Sequence, residues 1–578
     1  STPQTNIGQV THGAAVQLNW NLDKHAFMLG ASIDESRSEY SSQHQLALMD
    51  ASRDVYAAPD EIDPIYLAGQ RSLMLNEFDG RSNTMSAYFS ETFSPSSRLH
   101  LNLSGRYNYT RVKNNLAVRN LTARDLASFV DLNNGRPDIF LCPTTDPASC
   151  PDEPNASDEE SEYRVIDNTR TFNSYALPEQ LELRDPEKEE FNYHHFNPSI
   201  GFNFLPKENL NIFANWSQGT RAPSSIELGC AFDPTPVVSA ERPGSEPIAR
   251  SLADRASACS LPSALSGDPY LPQVVSRTTE AGFRLDLPNG WRWNVAAYNT
   301  NLYDDMYLIN ILGRDFFDDI GRTRRRGLET GLSGSIGKLD FSLNYGLNEA
   351  TFQSEFWITS GSRFDTQGNL SASGSVFNSS ADLQIPLEVN PSRTNYGFLS
   401  YGLQKIEPGD VIPGMPLHNL SATFNYNATS RWDIGLNITA HTFSYARGNE
   451  NNDHQIGEID ANILQPKDGG GRDINDRTRT YTNSGIIPGY ALFNLHTSYK
   501  ASPHLTLFAQ VNNLFDNQYA SAGRLGVNPF SPSVNGAIGP SGWNYNSDEW
   551  QYDTFIAPGS PRAIWVGVDY QSDGRSIR

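Results

Sequence analysis

The sequence lacks any run of about 18 apolar residues, so it contains no candidate for a membrane-spanning helix. Hydrophobic residues make up only 38% of the 578 residues, although the chain has 44 Gly, 29 Phe and 25 Tyr. A spanning β-strand needs only about 9–11 residues, of which alternate ones face lipid, so a β-barrel is polar on average. The composition therefore fits either a membrane barrel or a secreted β-rich protein.

Basic residues are few: 44 Lys and Arg stand against 66 Asp and Glu, which gives a formal charge of -22. Proteins that bind nucleic acid usually display a basic face, so we expect no nucleic-acid partner. The sequence also lacks the GxSxG, HExxH and P-loop motifs, and we expect no enzyme. The first residues, Ser1-Thr2-Pro3, show neither the basic region nor the apolar core of a signal peptide. We therefore expect that a leader was removed or that the chain begins partway into a longer precursor.

Cysteine is scarce, and the four cysteines form two pairs in stretches rich in Pro, Asp and Ser. Cys142 lies close to Cys150, and Cys230 lies 29 residues before Cys259. We predict two loop disulfides in an oxidising compartment. Neither pair has CxxC spacing or an intervening His, which argues against a metal site.

Period-2 alternation is the main pattern that is present. In the stretch Leu505 to Val511, Leu, Leu, Ala and Val alternate with Thr, Phe and Gln, and an Asn-Leu-Phe-Asp segment and Tyr519 follow. Similar runs predict about fifteen strands: 16–22, 26–32, 85–93, 99–109, 198–205, 210–217, 279–287, 291–303, 327–336, 339–352, 419–426, 432–441, 491–499, 505–511 and 563–570. Bacterial single-chain barrels normally have even strand counts, so further strands are expected before these.

The connections between the predicted strands alternate in length. Turns of a few residues alternate with long segments, which we expect to be structureless: 37–82, 111–192, 220–275, 354–417, 443–490 and 517–562. Soluble domains rarely carry so many long loops, whereas an outer-membrane barrel has short periplasmic turns and long extracellular loops. We therefore predict an all-β fold, a transmembrane antiparallel β-barrel. A soluble β-sandwich with ordinary core aromatics is the alternative.

Several motifs resemble those of TonB-dependent outer-membrane receptors. The Asn-Leu-Phe-Asp segment after residue 512 is one, and the others occur along the chain in the family's order: Asn197-Pro198-Ser199-Ile200-Gly201, Ser217-Gln218-Gly219-Thr220-Arg221-Ala222-Pro223 with Glu227-Leu228, Thr279-Glu280-Ala281-Gly282, Ile320-Gly321-Arg322 with Gly327-Leu328-Glu329, and Pro558-Gly559-Ser560-Pro561-Arg562. Each motif is weak by itself, but their order and spacing make the resemblance specific.

The resemblance implies a 22-strand barrel in the bacterial outer membrane that surrounds an N-terminal plug. Residues 1–570 then form a partial barrel, with the plug and first strands absent, and residues 571–578 form a tail. The implied function is a receptor that imports a scarce nutrient, such as an iron-siderophore or other metal chelate, and is energised by the TonB complex through the plug. Outer-membrane lipid and lipopolysaccharide are the implied surroundings. A passive channel and a surface binding scaffold that acts with other chains are the alternatives.

The ligand contacts are less well indicated. His194 and His195 lie together at a strand start, and Arg221 and Arg322 lie in the family-like motifs, so we predict these four as substrate contacts. The acidic run Asp158-Glu159-Glu160 is the candidate metal site and offers oxygen ligands for calcium, although it lacks EF-hand spacing. No other cofactor is expected.

Overall fold

The structure, a computed structural model, describes residues 2–62, 72–118, 183, 186–229, 271–311, 314–359, 403–454, 457–459, 479–481, 484–533, 536, 538–544 and 551–571. Within these residues, no helix is long and apolar enough to cross a membrane. A single 3-10 turn, Pro288–Gly290, is the helical element among them.

Strands make up the regular structure. In chain order they are β1 (Thr2–Leu22), β2 (His25–Gln45), β3 (Leu48–Met49), β4 (Val55–Tyr56), β5 (Leu73–Ser96), β6 (Leu99–Val118), β7 (Glu187–Lys207), β8 (Leu210–Arg221), β9 (Val274–Asp286), β10 (Arg292–Tyr303), β11 (Met306–Ile311), β12 (Arg314–Asp319), β13 (Thr323–Ile336), β14 (Leu339–Phe352), β15 (Phe356–Thr359), β16 (Leu403–Ile406), β17 (His418–Thr429), β18 (Trp432–His441), β19 (Ser444–Tyr445), β20 (Gly457–Ile459), β21 (Arg479–Tyr481), β22 (Ile486–Ile487), β23 (Tyr490–Ser502), β24 (Leu505–Asn512), β25 (Ala520–Asn528), β26 (Gln551–Pro558) and β27 (Ala563–Tyr570).

Fifteen of these strands form one antiparallel sheet, in the order β1-β2-β5-β6-β7-β8-β9-β10-β13-β14-β17-β18-β23-β24-β27. Each strand pairs with its neighbour along the sheet, as an up-and-down arrangement requires. The prediction of about fifteen antiparallel strands is confirmed. In the described sheet β1 and β27 are edge strands, each paired on one side.

The sheet has two chemically different faces because successive side chains of a strand point to opposite sides. The outer face carries exposed apolar side chains from one edge to the other: Val16, Leu18, Trp20, Leu29, Leu103, Ile200, Leu328, Leu420, Leu507 and Val566. The inner face carries polar side chains: Asn19, Ser32, Ser86, Asn108, Asn215, Glu280, Asn344, Ser421, Asn437 and Asn494. A sheet with a lipid-facing side and a wet side has this distribution, and the alternative of a sandwich core is not supported.

The short turns of the described sheet join strands at one end, and the strands that flank the long segments end and begin at the other. The prediction of tight turns alternating with long connections is confirmed by the strand bounds. The strand ends were predicted too short, because β1 begins at Thr2 rather than Val16 and β7 begins at Glu187 rather than Pro198. Beyond the apolar band the outer face of these strands becomes mostly polar, with Asn6 and His12 on β1 and Glu190 and Asn192 on β7, so the apolar alternation ends while the backbone ladder continues.

The expectation that the long segments are structureless is wrong for their described parts. The described parts contain two-stranded sheets, namely β3 with β4, β11 with β12, β15 with β16, β19 with β22, β20 with β21, and β25 with β26. Buried apolar residues cluster where these segments pack over the strand ends. The clusters are Val112, Phe191, Tyr193, Leu228 and Leu271, and separately Ile320, Ala350, Phe352, Ile358, Ile406 and Ile412.

The Asn-Leu-Phe-Asp segment ties three strands together at the loop end of the sheet. Asn513 is 4% exposed and has a left-handed φ of 51°, which Asn tolerates better than most residues. Its amide nitrogen donates to the carbonyls of Asn517 (2.9 Å) and Ser560 (3.2 Å), and its side-chain oxygen accepts from the Asn517 N–H (2.8 Å). Asp516 accepts from the Arg562 N–H at 2.9 Å. The motif therefore joins the end of β24 to the backbone that leads into β25 and into β27.

Candidate functional site

The Arg106 side chain stands on the inner face among neutral groups. The Arg106 guanidinium donates to Asn108 (2.9 Å), Ser86 (2.9 Å) and Ser32 (3.2 Å), and it lies 5.2 Å from the centroid of the Tyr88 ring. Every hydrogen bond that the described structure gives this group goes to a neutral partner. Arg106 is exposed on the inner face and keeps its positive charge available to an anionic group.

A short segment, residues 221–229, begins at the last residue of β8, folds back over the inner face and covers part of it. The Arg221 guanidinium makes a two-pronged ion pair with Glu227, with both N–O distances at 2.9 Å. The Ser224 N–H donates to the same carboxylate at 2.7 Å, and the Ser224 hydroxyl accepts from the Glu227 N–H at 3.3 Å. Burial raises the pKa of Glu227, but these bonds and the Arg221 charge outweigh it and leave the pKa below its ordinary value.

Two contacts hold this segment against the sheet. The Asn114 amide, buried on β6, donates to the Ser225 carbonyl at 2.8 Å. Leu228 is fully buried among Val112, Phe191 and Tyr193. The segment is thus fixed by packing and by a buried hydrogen bond rather than by its ion pair alone.

A cavity of about 340 Å³ lies between the 221–229 segment and the inner face. Its walls come from β1, β2, β5 and β6 on one side and from the segment on the other. The lining residues are Gln9, Ser36, Ser38, Ser82, Thr84, Asn108, Thr110, Thr220, Ala222, Pro223, Ser224, Ser225 and Gln273. All are uncharged, and most offer hydroxyl or amide groups, so the cavity holds a polar group through hydrogen bonds. Asn108 links it to Arg106.

A second buried polar cluster joins the long segments above the inner face. The Tyr307 hydroxyl donates to Glu450 at 3.2 Å, and Glu450 also accepts from the Gly448 N–H at 3.0 Å. The Arg447 guanidinium lies 5.3 Å from the centroid of the Tyr307 ring. Burial raises the pKa of Glu450 and, together with the Glu450 charge, that of Tyr307. This junction connects the β11–β12 hairpin to the segment after β19.

The structure separates the predicted substrate contacts. His194 faces outward opposite Tyr109, and His195 faces inward opposite Asn108, because adjacent residues of a strand point to opposite sides. Arg221 is paired with Glu227, as described above. Arg322 is exposed at the turn before β13. The structure therefore does not bring the two histidines or the two arginines to one place.

The remaining predicted sites lie outside the described residues. These are the acidic run Asp158-Glu159-Glu160 and the cysteines Cys142, Cys150, Cys230 and Cys259. Within the described ranges, no group of three or more His, Cys, Asp or Glu side chains is arranged to hold a metal ion.

Sequence reasoning missed Arg106 and the cavity. The inner-face position of Arg106 follows from extending the alternation of the predicted strand 99–109, in which even-numbered residues are polar. The cavity has no comparable signal, because it depends on the 221–229 segment folding back onto strands that lie more than 100 residues earlier in the chain.

A wide antiparallel sheet with an apolar outer face, a polar inner face and long segments at one end defines the wall of a membrane β-barrel. The family model described as TonB dependent receptor-like, beta-barrel matches residues 1–514. The chain therefore belongs to the TonB-dependent receptor β-barrel family, as its motifs indicated.

The chain is also similar to solved structures, and the first of them shares its fold. The siderophore receptor PiuA from Acinetobacter baumannii superposes with a TM-score of 0.50 at 11% identity, covering 98% of this chain and 56% of that one. The ferric yersiniabactin uptake receptor FyuA from Yersinia pestis gives a TM-score of 0.49 at 10% identity, covering 98% and 55%. The chain thus spans a little over half the length of these receptors, and at such identities the likeness concerns the fold alone. No curated protein sequence matches the chain.

Membership of this family fixes the location and the broad class. Its members are bacterial outer-membrane proteins and transporters, so the predictions of an outer-membrane location and of a protein that is not an enzyme are confirmed.

Proposed function

We propose that this chain forms the wall of an outer-membrane receptor that imports a scarce nutrient, such as an iron-siderophore or another metal chelate, and is energised through TonB. The observation that carries the proposal is the two-faced sheet of fifteen strands in a chain that matches the receptor family over residues 1–514. PiuA, whose fold is shared, is a siderophore receptor, and this favours a metal chelate as the nutrient.

The inner face supports passage of a polar ligand. Arg106 offers a positive charge there, and the cavity beneath the 221–229 segment offers hydroxyl and amide groups next to it. A ferric chelate with acidic groups is attracted to such an arginine, because a charge-assisted hydrogen bond is about twice as strong as a neutral one.

Of the four predicted contacts, His195 is the best placed for the ligand path. It lies on the inner face beside Asn108, a cavity residue, whereas His194 lies one residue away on the outer face. This pair provides a matched test. We expect His195→Ala and Arg106→Gln to lower uptake several-fold, and His194→Ala to leave uptake unchanged.

The test measures the accumulation of radioactive iron in bacterial cells. These cells lack their own iron-chelate receptors and express the full protein that contains this chain. A panel of ferric chelates is supplied to cells with and without TonB. The proposal expects accumulation of at least one chelate in the first cells and background levels in the second. Equal accumulation in both would overturn energised import and favour a passive channel, which liposome swelling would then reveal.

The two edge strands support a second candidate, a wall completed by strands of another polypeptide. A backbone edge within lipid leaves N–H and C=O groups unpaired, so β1 and β27 require partners. Purifying the full protein from outer membranes tests this point. A stoichiometric second chain that stays bound through denaturing detergent favours the second candidate, and a single chain excludes it.

A further inference from the structure

A carboxylate and a histidine stand within the apolar band of the outer face, near the short turns. Glu91 on β5 lies between Phe27 of β2 and Leu103 of β6 in the strand register, so it points outward as they do. His25 is the direct partner of Phe93, one row closer to the turns. The other outward residues within 25–33 of β2, 85–93 of β5 and 99–109 of β6 are apolar, aromatic or glycine.

These two side chains bind each other. The His25 Nδ1 atom lies 2.8 Å from the Glu91 Oε1 atom, and the carboxylate accepts the hydrogen bond. The Phe93 ring stacks on the imidazole with a centroid distance of 4.8 Å, which fixes the orientation of the imidazole. Both side chains nevertheless remain accessible on the side that faces lipid, with 51% of His25 and 24% of Glu91 exposed. Ionisable groups in contact with lipid are costly and need partners.

The pair uses only half of its hydrogen-bonding atoms. Within the described structure, Nε2 of His25 and Oε2 of Glu91 have no hydrogen-bond partner. A polar atom that faces hydrocarbon without a partner costs free energy, so a surface that completes both bonds is favoured there. A bond between Nε2 and a carboxylate oxygen needs one proton, which either atom can carry. Within one copy the two atoms do not meet, because the two ring nitrogens point in divergent directions.

From this geometry we propose that a second copy of this chain packs against the outer face around His25 and Glu91. A two-fold axis brings the same surface of both copies together. Nε2 of each His25 then bonds to Oε2 of Glu91 in the other copy, so one contact satisfies all four remaining atoms. A protein of another sequence would have to bring a matching donor and acceptor, whereas a second copy brings them by symmetry.

Exposed apolar side chains surround the pair and form the rest of the contact. Leu22 is 65% exposed, Leu29 47% and Leu103 49%. Lipid tails cover such residues as well as a protein does, so they add little preference for association in a membrane. Hydrogen bonds and close packing provide that preference, and here the hydrogen bonds come from His25 and Glu91. The contact lies on the face opposite to the cavity, so it does not depend on the proposed import.

The test counts the copies of the full protein that contains this chain after reconstitution into lipid vesicles. Each copy carries one fluorophore on a terminal tag, and photobleaching steps are counted over a range of protein densities. We expect two-step complexes to dominate as the density rises. The variant H25F/E91L, which makes the surface wholly apolar, should raise the dissociation constant of the dimer at least fivefold. The exchanged variant H25E/E91H keeps one donor and one acceptor in each copy, and should stay within threefold of the unchanged protein.

The matched control is T497V, which removes another hydrogen-bonded polar group from the outer face. The Thr497 hydroxyl accepts from the Trp432 indole N–H at 2.9 Å, on strands far from β2 and β5. This control should keep the dissociation constant within twofold. Single copies at every density would overturn the proposal and would mean that water or a lipid headgroup completes the pair. Equal association of H25F/E91L and the unchanged protein would also overturn it, as would an exchanged variant as weak as H25F/E91L.

Discussion

The guanidinium carbon of Arg53 lies 3.9 Å from the centroid of the Phe530 ring. Arg53 belongs to the segment between β2 and β5, near one edge of the fifteen-stranded sheet, and Phe530 belongs to the segment before β27, at the other edge. Arg53 also donates to the Ser541 carbonyl at 3.3 Å, and Trp543 packs edge-on against Phe530 at 5.7 Å. The sheet therefore curls until the loops of its two edges touch.

Replacing Arg53 with Ala should loosen this contact without unfolding the sheet. A cation–π contact near the surface contributes about 0.5–1 kcal/mol, so amides of residues 528–533 and 538–544 should exchange with solvent about two- to fivefold faster. Hydrogen exchange followed by mass spectrometry measures this. Arg98→Ala, at an exposed short turn, is the control and should change nothing there. Unchanged exchange in the Arg53 variant would mean that the contact does not hold the edges together.

Removing the Asn513 side chain should destabilise the whole sheet. Asn513→Ala loses three hydrogen bonds and keeps a left-handed backbone, so we expect a loss of about 2–4 kcal/mol in the free energy of unfolding. Urea unfolding of the chain in detergent micelles measures it. Asn513→Gly loses the same bonds but tolerates the backbone, and should be about 1 kcal/mol less harmful. If the two variants behave alike, the left-handed backbone carries no cost.

The ion pair between Arg221 and Glu227 should make the 221–229 segment sensitive to acid. The pKa of Glu227 is below its ordinary value in the folded protein. Its contribution is therefore complete above the unfolded pKa and is lost as the pH falls through the folded one. We expect protection of these amides, corrected for intrinsic exchange, to fall below about pH 4.

Glu227→Gln separates the charge from the packing of this segment. It should lower the protection at neutral pH by about 1 kcal/mol and remove the acid dependence. Hydrogen exchange between pH 7 and pH 3 shows both effects. An acid transition that persists in the variant would assign the effect to another carboxylate.

A glycine and a tyrosine fit together across β2 and β5 on the inner face. A Cβ atom on Gly30 would lie 2.4 Å from the ring of Tyr88, its direct partner in the register. Gly30→Ala should therefore cost about 1–3 kcal/mol of unfolding free energy, and Tyr88→Ala in the same chain should recover much of it. Gly8→Ala, which meets nothing within 4 Å, is the control. Independent effects of the two substitutions in urea unfolding would contradict the steric account.

The sequence indicates the membrane-facing part of the fold well because that part obeys a two-residue period. The predicted last strand 563–570 agrees residue for residue with β27, whose outer face is apolar and exposed. Beyond the apolar band the period remains in the backbone but not in the hydropathy. Residues 2–15 of β1 were missed for this reason, since their outer face carries residues such as His12 and Asn6.

The candidate site was less predictable because it depends on contacts between distant segments. The receptor-like motif marked both Arg221 and Glu227, but it did not indicate that they form an ion pair or that Asn114 anchors their segment. The adjacent histidines looked like a pair in the sequence, yet strand geometry sends them to opposite sides. The position of a residue along a strand thus predicts the face of the sheet to which its side chain points. The shape of a cavity also depends on how the loops fold, and spacing along a strand does not show this.

The strands are unequal in length in a systematic way. Strands β1, β5 and β7 have 21, 24 and 21 residues, whereas β18 and β24 have 10 and 8, and about 9–11 suffice to cross a bilayer. Within the described residues, the hydrogen-bonded sheet therefore extends farther toward the loop end at β1, β5 and β7 than at β18 and β24. A partner that approaches the loop end beside β1, β5 and β7 therefore meets paired sheet rather than isolated loops.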